Sequence, residues 1–304
     1  KDFVDTHVDS VLFDCDGVLY RGSYVIKDAP KALESLLSTK DHNHVLFVTN
    51  NAGQNRRQLR DKLSALLQSP TLTEEQMVSS SYSSARYLED RLQKGCCVHV
   101  VGTDGLREEI SKRGFHVSGG SSSSDSSSSN SEEERYGMSR PELEAFPFEH
   151  MKPIDALVVG LDNEFNYRKL CIAVNVLHRN PGALFVATNQ DSYDLVGLES
   201  RRLPGNGAIV KAIEHSSRKQ SINVGKPSRE LADLIGKEHS LKMSRTMMVG
   251  DRLDTDIRFG ANNNMISALV LTGCTSVEEV IAIAEGQSEE KMPSVIFPYM
   301  GMMG

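Results

Sequence analysis

The stretch VLFDCDG at residues 11–17 decides the fold class of this chain. Its first three residues are apolar without interruption, which is typical of a short strand covered on both faces, as the strands of parallel sheets are. Two carboxylates, Asp14 and Asp16, and a glycine follow at once. The stretch therefore predicts a buried parallel strand that carries acidic side chains at its carboxyl end.

Four further apolar runs end in the same way, each followed directly by polar or glycine residues. The runs are 45–48 before Thr49, Asn50 and Asn51; 222–224 before Gly225 and Lys226; 247–249 before Gly250 and Asp251; and 268–271 before Thr272 and Gly273. Helical patterns lie between them at 29–37, 56–67 and 228–239, the last with Pro227 placed for its first turn. This alternation predicts an α/β fold, a doubly wound (Rossmann-like) parallel sheet that binds ligands beyond the carboxyl ends of its strands.

The middle of the chain has strand and helix patterns of its own, which predicts a second, inserted α/β domain. Its expected strands are 98–101, 156–159 and 183–187, and its expected helices are 106–113, 167–178 and 208–216. We therefore expect a catalytic core over 1–92 and 220–304, with a cap domain over 93–219. Such an insertion usually governs access to a crevice and specificity.

Within the cap, residues 118–134 are rich in serine and end in three glutamates. Such a segment has no side chains to bury, so it is predicted to be a disordered surface insertion. A regulatory phosphorylation tract is the functional alternative.

Composition excludes several classes of protein. The 304 residues carry 34 Lys and Arg against 41 Asp and Glu, a net charge of −7, so nucleic acid and anionic membranes are disfavoured as partners. No apolar run approaches the roughly 18 residues that span a bilayer. The five cysteines lack metal-ligand spacing, which favours reduced thiols and a cytoplasmic location. The chain begins at Lys1, so a removed leader stays open.

The residues at the strand ends are those that phosphate-ester hydrolysis requires. Asp14 and Asp16 repel each other and call for a cation, and Asp251 can complete an oxygen-rich Mg²⁺ site. Near such a cation, one carboxylate can attack phosphorus while another protonates the leaving oxygen. Thr49 and Asn51 offer uncharged donors to phosphoryl oxygens, and Lys226 offers a positive charge.

Each of these signals has a simpler structural interpretation. An isolated Asp-x-Asp-Gly is commonly a turn, because Asp and Gly favour turns for local backbone reasons. Asp254 and Asp256 can cap the helix that follows them, or Asp256 can orient Lys226 or metal-bound waters. Four such motifs, all at strand ends and in one order along the chain, are harder to obtain by chance than any one of them alone.

Together these residues resemble the four motifs of the haloacid dehalogenase superfamily of phosphatases. The motifs are Asp14-Cys15-Asp16-Gly17-Val18, Thr49-Asn50-Asn51, Lys226 in Gly-Lys-Pro-Ser, and 250–257, which reads GDRLDTDI. The large insertion, with Gly160-Leu161-Asp162 and 187–191 (ATNQD), is similar to the branch of p-nitrophenylphosphatase, phosphoglycolate phosphatase and pyridoxal phosphatase.

The resemblance implies a Mg²⁺-dependent phosphomonoester hydrolase of small phosphorylated metabolites that acts through a phosphoaspartate. Asp14 would be the nucleophile and a metal ligand, Asp16 the acid and base with its backbone carbonyl on the metal, and Asp251 a metal ligand. Thr49 and Lys226 would be catalytic, and Asp256 would orient Lys226 or the metal-bound waters. The residues predicted to bind substrate are Asn50, Asn51, Asp191 and Asp194. A homodimer through the cap is also implied.

One departure from the family bears on the substrate. The branch more often has histidine or leucine near position 194, where this chain has Asp194. If that side chain faces the crevice rather than solvent, it disfavours a substrate carboxylate and therefore phosphoglycolate. Pyridoxal phosphatase or phosphomutase activity on the same scaffold, and a non-catalytic phospho-acceptor switch, remain as alternatives.

Overall fold

The structure, a computed structural model, describes residues 6–38, 44–119, 139–145, 153–196, 201–288 and 290–303. Apart from Ser118 and Gly119, the serine-rich insertion predicted at 118–134 lies outside the described residues. Within these ranges none of the helices has both the length and the apolar composition to cross a bilayer. All five cysteines are free thiols.

The first sheet is parallel throughout and is centred on the strand that the opening stretch predicts. Strand β1 (Ser10–Phe13) pairs on one side with β4 (His44–Thr49) and on the other with β13 (Thr246–Gly250). The sheet continues outward to β5 (Met77–Ser79) beyond β4, and to β14 (Ile266–Val270) and β15 (Val295–Phe297) beyond β13. The carboxyl ends of β1, β4 and β13 therefore lie side by side.

Both faces of this sheet are covered, as uninterrupted apolar strands require. Val11 and Phe13 pack in a cluster with helices α1 (Ala29–Ser38) and α2 (Arg56–Leu67), whereas Leu12 packs on the opposite face. There it contacts a cluster with α8 (Arg229–His239) and α9 (Arg258–Asn262). This arrangement confirms the doubly wound core.

A second parallel sheet is built from the middle of the chain, which confirms the inserted α/β unit. Its strands are β6 (Cys97–Val101), β7 (His116–Ser118), β8 (Ala156–Val159), β9 (Leu184–Ala187) and β12 (Ile222–Asn223). Their order across the sheet is β12-β9-β8-β6-β7. The expected strands and helices of this unit begin and end within two residues of their predicted positions. The domain boundaries at 93 and 219 stay a prediction.

One strand was assigned to the wrong sheet. Residues 222–224 were expected in the core, but Ile222 and Asn223 pair with Val186 and Ala187 of the second sheet. An apolar run of three residues cannot show which of two parallel sheets it joins, because both require the same pattern. The placement matters for function, since Lys226 follows directly from the edge of the second sheet.

The remaining helices and strands complete the two layers. The helices are α3 (Ser80–Glu89), α4 (Asp104–Ser111), α5 (Arg140–Glu144), α6 (Tyr167–Arg179), α7 (Asn206–Ser217) and α10 (Val277–Ala284). Two short hairpins pair β2 (Tyr20–Arg21) with β3 (Tyr24–Val25), and β10 (Tyr193–Val196) with β11 (Arg201–Pro204). Short 3-10 turns lie at Glu74–Gln76, Met243–Arg245 and Met300–Met303. Ser228 caps α8, so Pro227 precedes the helix instead of lying in its first turn.

Helix α3 lies between the two sheets. Its Tyr82 packs against the first sheet, whereas Ala85 and Leu88 pack against the second. Two of its serine hydroxyls donate to backbone carbonyls, Ser80 to that of Asn50 after β4 and Ser83 to that of Val224 after β12. The helix thus contacts a segment that follows each sheet.

Candidate active site

Asp14 begins the site at the carboxyl end of β1. Its backbone N–H donates to the carbonyl of Val249, 2.8 Å away, so the chain leaves the sheet in register with β13. The chain then turns at Gly17, whose φ of +83° is a backbone conformation that residues with a side chain rarely adopt. A Cβ at Gly17 would also lie 2.5 Å from Oδ2 of Asp251. Glycine is therefore required at this position for both the turn and the close approach of Asp251.

Lys226 lies buried against Asp14. Its Nζ is 2.5 Å from Oδ1 of Asp14 and 2.7 Å from Oδ1 of Asp256, and it donates to the carbonyl of Val48 at 2.8 Å. Burial opposes the charge of Lys226, but the two carboxylates outweigh it and raise the pKa of the ammonium group. Lys226 is therefore charged at neutral pH.

Three buried carboxylates form a group that could hold a metal ion, and they belong to Asp14, Asp251 and Asp256. Their ligand atoms all lie within 4.8 Å of one another. Asp256 is held from behind, because its Oδ2 accepts the backbone N–H groups of Asp251 and Arg252 at 3.2 and 3.1 Å. Oδ2 of Asp251 accepts the N–H of Cys274 at 2.6 Å. The described residues place one lysine among three acids, and this surplus of negative charge fits a cation.

The same crowding makes the acids hard to ionise without a cation. Burial, together with the charge of Asp256, raises the pKa of Asp251 to about 7. Burial also raises the pKa of Asp14 well above its usual value, although Lys226 opposes the shift. A divalent cation would remove this repulsion.

Asp16 is exposed, whereas Asp14 is buried. Oδ2 of Asp16 accepts a hydrogen bond of 3.1 Å from the hydroxyl of Tyr20. Protein atoms around it nevertheless reduce its solvation and raise the pKa of its carboxyl, which the charge of Lys62 partly offsets. A raised pKa keeps more of the protonated form that a general acid requires.

The three polar residues at the end of β4 and directly after it differ in their exposure to solvent. Thr49 and Asn50 are buried, whereas Asn51 is exposed. The hydroxyl of Thr49 accepts the N–H of Asn51 at 3.1 Å, and Oδ1 of Asn51 accepts the N–H of Gly53 at 2.7 Å. The side chain of Asn50 instead contacts Lys226 and Asp191.

The second domain reaches the site through the segment before and within β10. Oδ1 of Asp191 accepts a hydrogen bond from Asn50, and burial raises the pKa of Asp191 to about 6. Asp194 is exposed, and its charge raises the pKa of both Asp16 and Asp191. The negative charge of Asp194 is therefore close enough to affect both carboxyl groups.

Arg252 joins the same segment to the core, and the sequence did not single it out. Its guanidinium donates to the carbonyl of Tyr193 at 2.6 Å, lies 5.1 Å from the centre of that ring, and pairs with Asp254. It directly follows Asp251, which was the available signal. Asn189, whose amide donates to the carbonyl of Asn50 at 2.7 Å, was also missed.

The predicted site residues from the first sheet and Lys226 thus lie together. Contacts connect Asp14, Lys226, Asp256 and Asp251 directly, and Asp191 joins them through Asn50. Asp16 and Asp194 interact through their charges. The side chains of Thr49 and Asn51 each accept a backbone N–H group two residues further along the chain, and their roles toward phosphate stay a prediction.

Two family models match the two ends of the chain. The model described as haloacid dehalogenase-like hydrolase matches residues 11–116, and the one described as HAD-hydrolase-like matches residues 223–294. The unmatched residues between them hold most of the second sheet.

Known proteins are similar over nearly the whole chain. Phosphoglycolate phosphatase 2 of Arabidopsis thaliana is 37% identical over 276 residues, 90% of this chain and 86% of that protein. Glycerol-3-phosphate phosphatase of Gallus gallus is 35% identical over 290 residues, 95% of this chain and 86% of that protein. A glycerol phosphate phosphatase from Mycobacterium tuberculosis, solved in complex with magnesium, has a TM-score of 0.75 and 27% identity, covering 99% of this chain and 77% of that one.

Proposed function

The chain belongs to the haloacid dehalogenase-like hydrolase family, and we propose that Asp14 is the nucleophile with which it removes phosphate from small metabolites. As a member of that family it is a phosphoric monoester hydrolase. The observation that supports the role of Asp14 most directly is its buried contact of 2.5 Å with Nζ of Lys226. Since Lys226 contacts Oδ1, we assign the attack on phosphorus to Oδ2, and Oδ1 would then be the oxygen of Asp14 that a cation shares with Lys226.

The acidic residues fit a Mg²⁺ ion, which prefers a few carboxylate oxygens and keeps several waters. Asp14 and Asp251 would hold it together with the backbone carbonyl of Asp16. Asp256 is engaged with Lys226 and with two backbone N–H groups, so it would orient the site from behind. When bound, Mg²⁺ would supply positive charge to the phosphoryl oxygens as a Lewis acid.

The protein's own groups account for each proton and bond. Oδ2 of Asp14 forms a bond to phosphorus as the bond from phosphorus to the ester oxygen breaks, and Asp16 gives its proton to that oxygen. A water molecule then loses a proton to Asp16 and attacks phosphorus, which releases phosphate and restores the carboxylate of Asp14. Lys226, with Thr49 and Asn51, would stabilise the negative charge of the transferring group.

The second domain would select the substrate. The similar proteins are named for phosphoglycolate and for glycerol phosphate. Asp194 adds a negative charge whose field reaches Asp16 and Asp191, and a leaving group that carries a carboxylate would be repelled there. We therefore favour glycerol phosphates and other phosphate esters without a carboxylate over 2-phosphoglycolate. Asn51 remains a predicted substrate contact, and the homodimer through the cap also stays a prediction.

A substrate panel tests the proposal. Phosphate release is measured with p-nitrophenyl phosphate, glycerol 3-phosphate, 2-phosphoglycolate and pyridoxal 5′-phosphate, each with Mg²⁺ and with chelator. We expect metal-dependent release, with glycerol 3-phosphate above 2-phosphoglycolate. Preference for pyridoxal 5′-phosphate would select that alternative. Stable phosphorylation of Asp14 by acetyl phosphate or a bisphosphate, without release of phosphate, would contradict hydrolysis and favour a switch or a mutase.

A further inference from the structure

Both N–H groups of the Asn50 side-chain amide donate to acceptors within the protein. Its Oδ1 accepts the backbone N–H of Lys226 at 2.7 Å, and its Nδ2 donates to the carbonyl of Lys226 at 3.1 Å. The second N–H of Nδ2 donates to Oδ1 of Asp191 at 2.9 Å. An asparagine amide has only two N–H donors, so none is left for a substrate.

The backbone carbonyl of Asn50 contacts both the second domain and helix α3. Its carbonyl accepts hydrogen bonds from Nδ2 of Asn189 at 2.7 Å and from the hydroxyl of Ser80 at 2.5 Å. Asn189 and Asp191 belong to the segment that follows β9 of the second sheet. Asn50 is therefore held on one side by the second domain and on the other by helix α3.

Lys226 depends on Asn50 for the position of its backbone. It lies two residues beyond Val224, which adjoins the strand residues Ile222 and Asn223, at the return from the second sheet to the core. The side chain of Asn50 forms hydrogen bonds with both the backbone N–H and the backbone carbonyl of Lys226. The side chain of Lys226 then extends to Asp14. A shift of this backbone moves the ammonium group relative to the nucleophile.

We propose that Asp191 and Asn50 are positioning residues that place Lys226 against Asp14, so that the second domain sets the catalytic geometry through hydrogen bonds instead of through the substrate. This inference rests on the proposed role of Lys226 in catalysis. It replaces the prediction that Asn50 and Asp191 bind substrate. Both side chains act through Lys226, whose Nζ contacts the nucleophile.

The charge of Asp191 is consistent with this role. Burial raises its pKa, but the charge of Arg252 and the hydrogen bond from Asn50 oppose the shift, and the pKa stays at about 6. At neutral pH the carboxylate is therefore mostly ionised and is a strong acceptor for the N–H of Asn50.

Exchange of the two side chains provides the test. Asn50→Asp removes both donors and brings a carboxylate against that of Asp191 and against the carbonyl of Lys226. Asp191→Asn keeps an acceptor at nearly the same place. In the double variant the amide at position 191 can donate to the carboxylate at position 50, which restores a hydrogen bond of reversed polarity.

We expect Asn50→Asp to lower kcat about 100-fold, since a small misplacement of a catalytic group costs about that much. KM should change less than about twofold, because no substrate contact is lost. Asp191→Asn alone should lose only about threefold in kcat, and the double variant should recover about tenfold over Asn50→Asp. The double variant would then be about 30-fold better than the product of the two single losses, a coupling of about 2 kcal/mol. Asn163→Asp, the same change at an exposed residue of the second domain, is the matched control.

Three results would overturn the inference. A raised KM with unchanged kcat in Asn50→Asp would show a substrate contact. A double variant whose loss in kcat equals the product of the two single losses, about 300-fold, would show that positions 50 and 191 are not coupled. If Asn50→Asp does not fold, as judged by its melting temperature, Asp191→Ala takes its place. A loss in kcat of less than about twofold in Asp191→Ala would then contradict the positioning of Lys226 by Asp191 and Asn50. An inactive wild-type protein would refute the proposed function instead.

Discussion

Asp256 and Lys226 form a buried ion pair, with 2.7 Å between Oδ1 of Asp256 and Nζ of Lys226. The carboxylate is 1% exposed and the lysine 2%, so water cannot replace either partner. Asp256 also accepts the backbone N–H groups of Asp251 and Arg252 through its other oxygen. One side chain thus holds both the ammonium group that faces Asp14 and the backbone of Asp251, a proposed metal ligand.

Asp256→Asn is therefore expected to impair activity more than the loss of an exposed carboxylate would. Removing the charge leaves Asp14 as the remaining charged partner of Lys226 among the contacts described, and breaking a buried pair costs on the order of 3 kcal/mol of unfolding free energy. We expect a lower kcat and a lower midpoint in urea. Asp254→Asn, two residues away and more exposed, is the control, and equal effects of the two variants on kcat would contradict the role given to Asp256.

Gly273→Ala tests the metal site without altering a ligand. An added Cβ would lie 1.8 Å from Oδ2 of Asp251, so that carboxylate would have to move. Displacing a ligand or its support typically weakens metal binding about 10- to 100-fold, and the Mg²⁺ concentration for half-maximal activity should rise accordingly. Gly182→Ala adds the same methyl group where no atom lies within 4 Å. An unchanged requirement for Mg²⁺ in Gly273→Ala would show that Asp251 is not a ligand.

Protons and Mg²⁺ should compete for Asp251. Its pKa is raised from 3.8 to about 7 because it is buried near Asp256, so the metal-free site holds a proton through much of the range below pH 7. The affinity for Mg²⁺ should then fall as pH decreases from 8 to 6, and binding at pH 7 should release protons, which calorimetry in buffers of different ionisation enthalpy detects. Binding that is independent of pH over this range would exclude the raised pKa.

The same group should affect stability in the opposite direction when Mg²⁺ is absent. A carboxyl whose folded-state pKa is raised stabilises the folded protein while it is protonated. The contribution of Asp251 is therefore present below pH about 4 and is lost as pH rises toward its folded pKa of about 7. In chelator, Asp251→Asn should lessen the decrease in melting temperature between pH 5 and pH 8.

Asp194 is expected to discriminate between substrates by charge. Asp194→Asn should raise kcat/KM for 2-phosphoglycolate relative to glycerol 3-phosphate by roughly fivefold, because an exposed charge pair is worth up to about 1 kcal/mol. Asp233→Asn, on the exposed face of α8, should leave the ratio unchanged. A ratio that does not change in Asp194→Asn would remove charge repulsion as the basis of selection.

The sequence predicted the core sheet and its acidic edge because these depend on local patterns. Apolar runs that end in Asp14, Thr49 and Asp251 indicate both a parallel sheet and its ligand-binding edge. The placement of Ile222 and Asn223 could not be predicted in this way, since pairing with the second sheet is a long-range choice. The contacts of Asn50 with Lys226 and Asp191 join residues far apart in sequence and depend on that same placement.

The most direct test of the account is transfer of the phosphoryl group to Asp14. A labelled phosphate monoester is mixed with the enzyme and Mg²⁺, quenched in acid within one turnover, and the peptides are analysed by mass spectrometry. The account predicts a phosphoryl group on the peptide that contains Asp14, and predicts that Asp14→Asn, which still unfolds in a cooperative transition, neither acquires the label nor releases phosphate. Near-normal turnover by Asp14→Asn would contradict it.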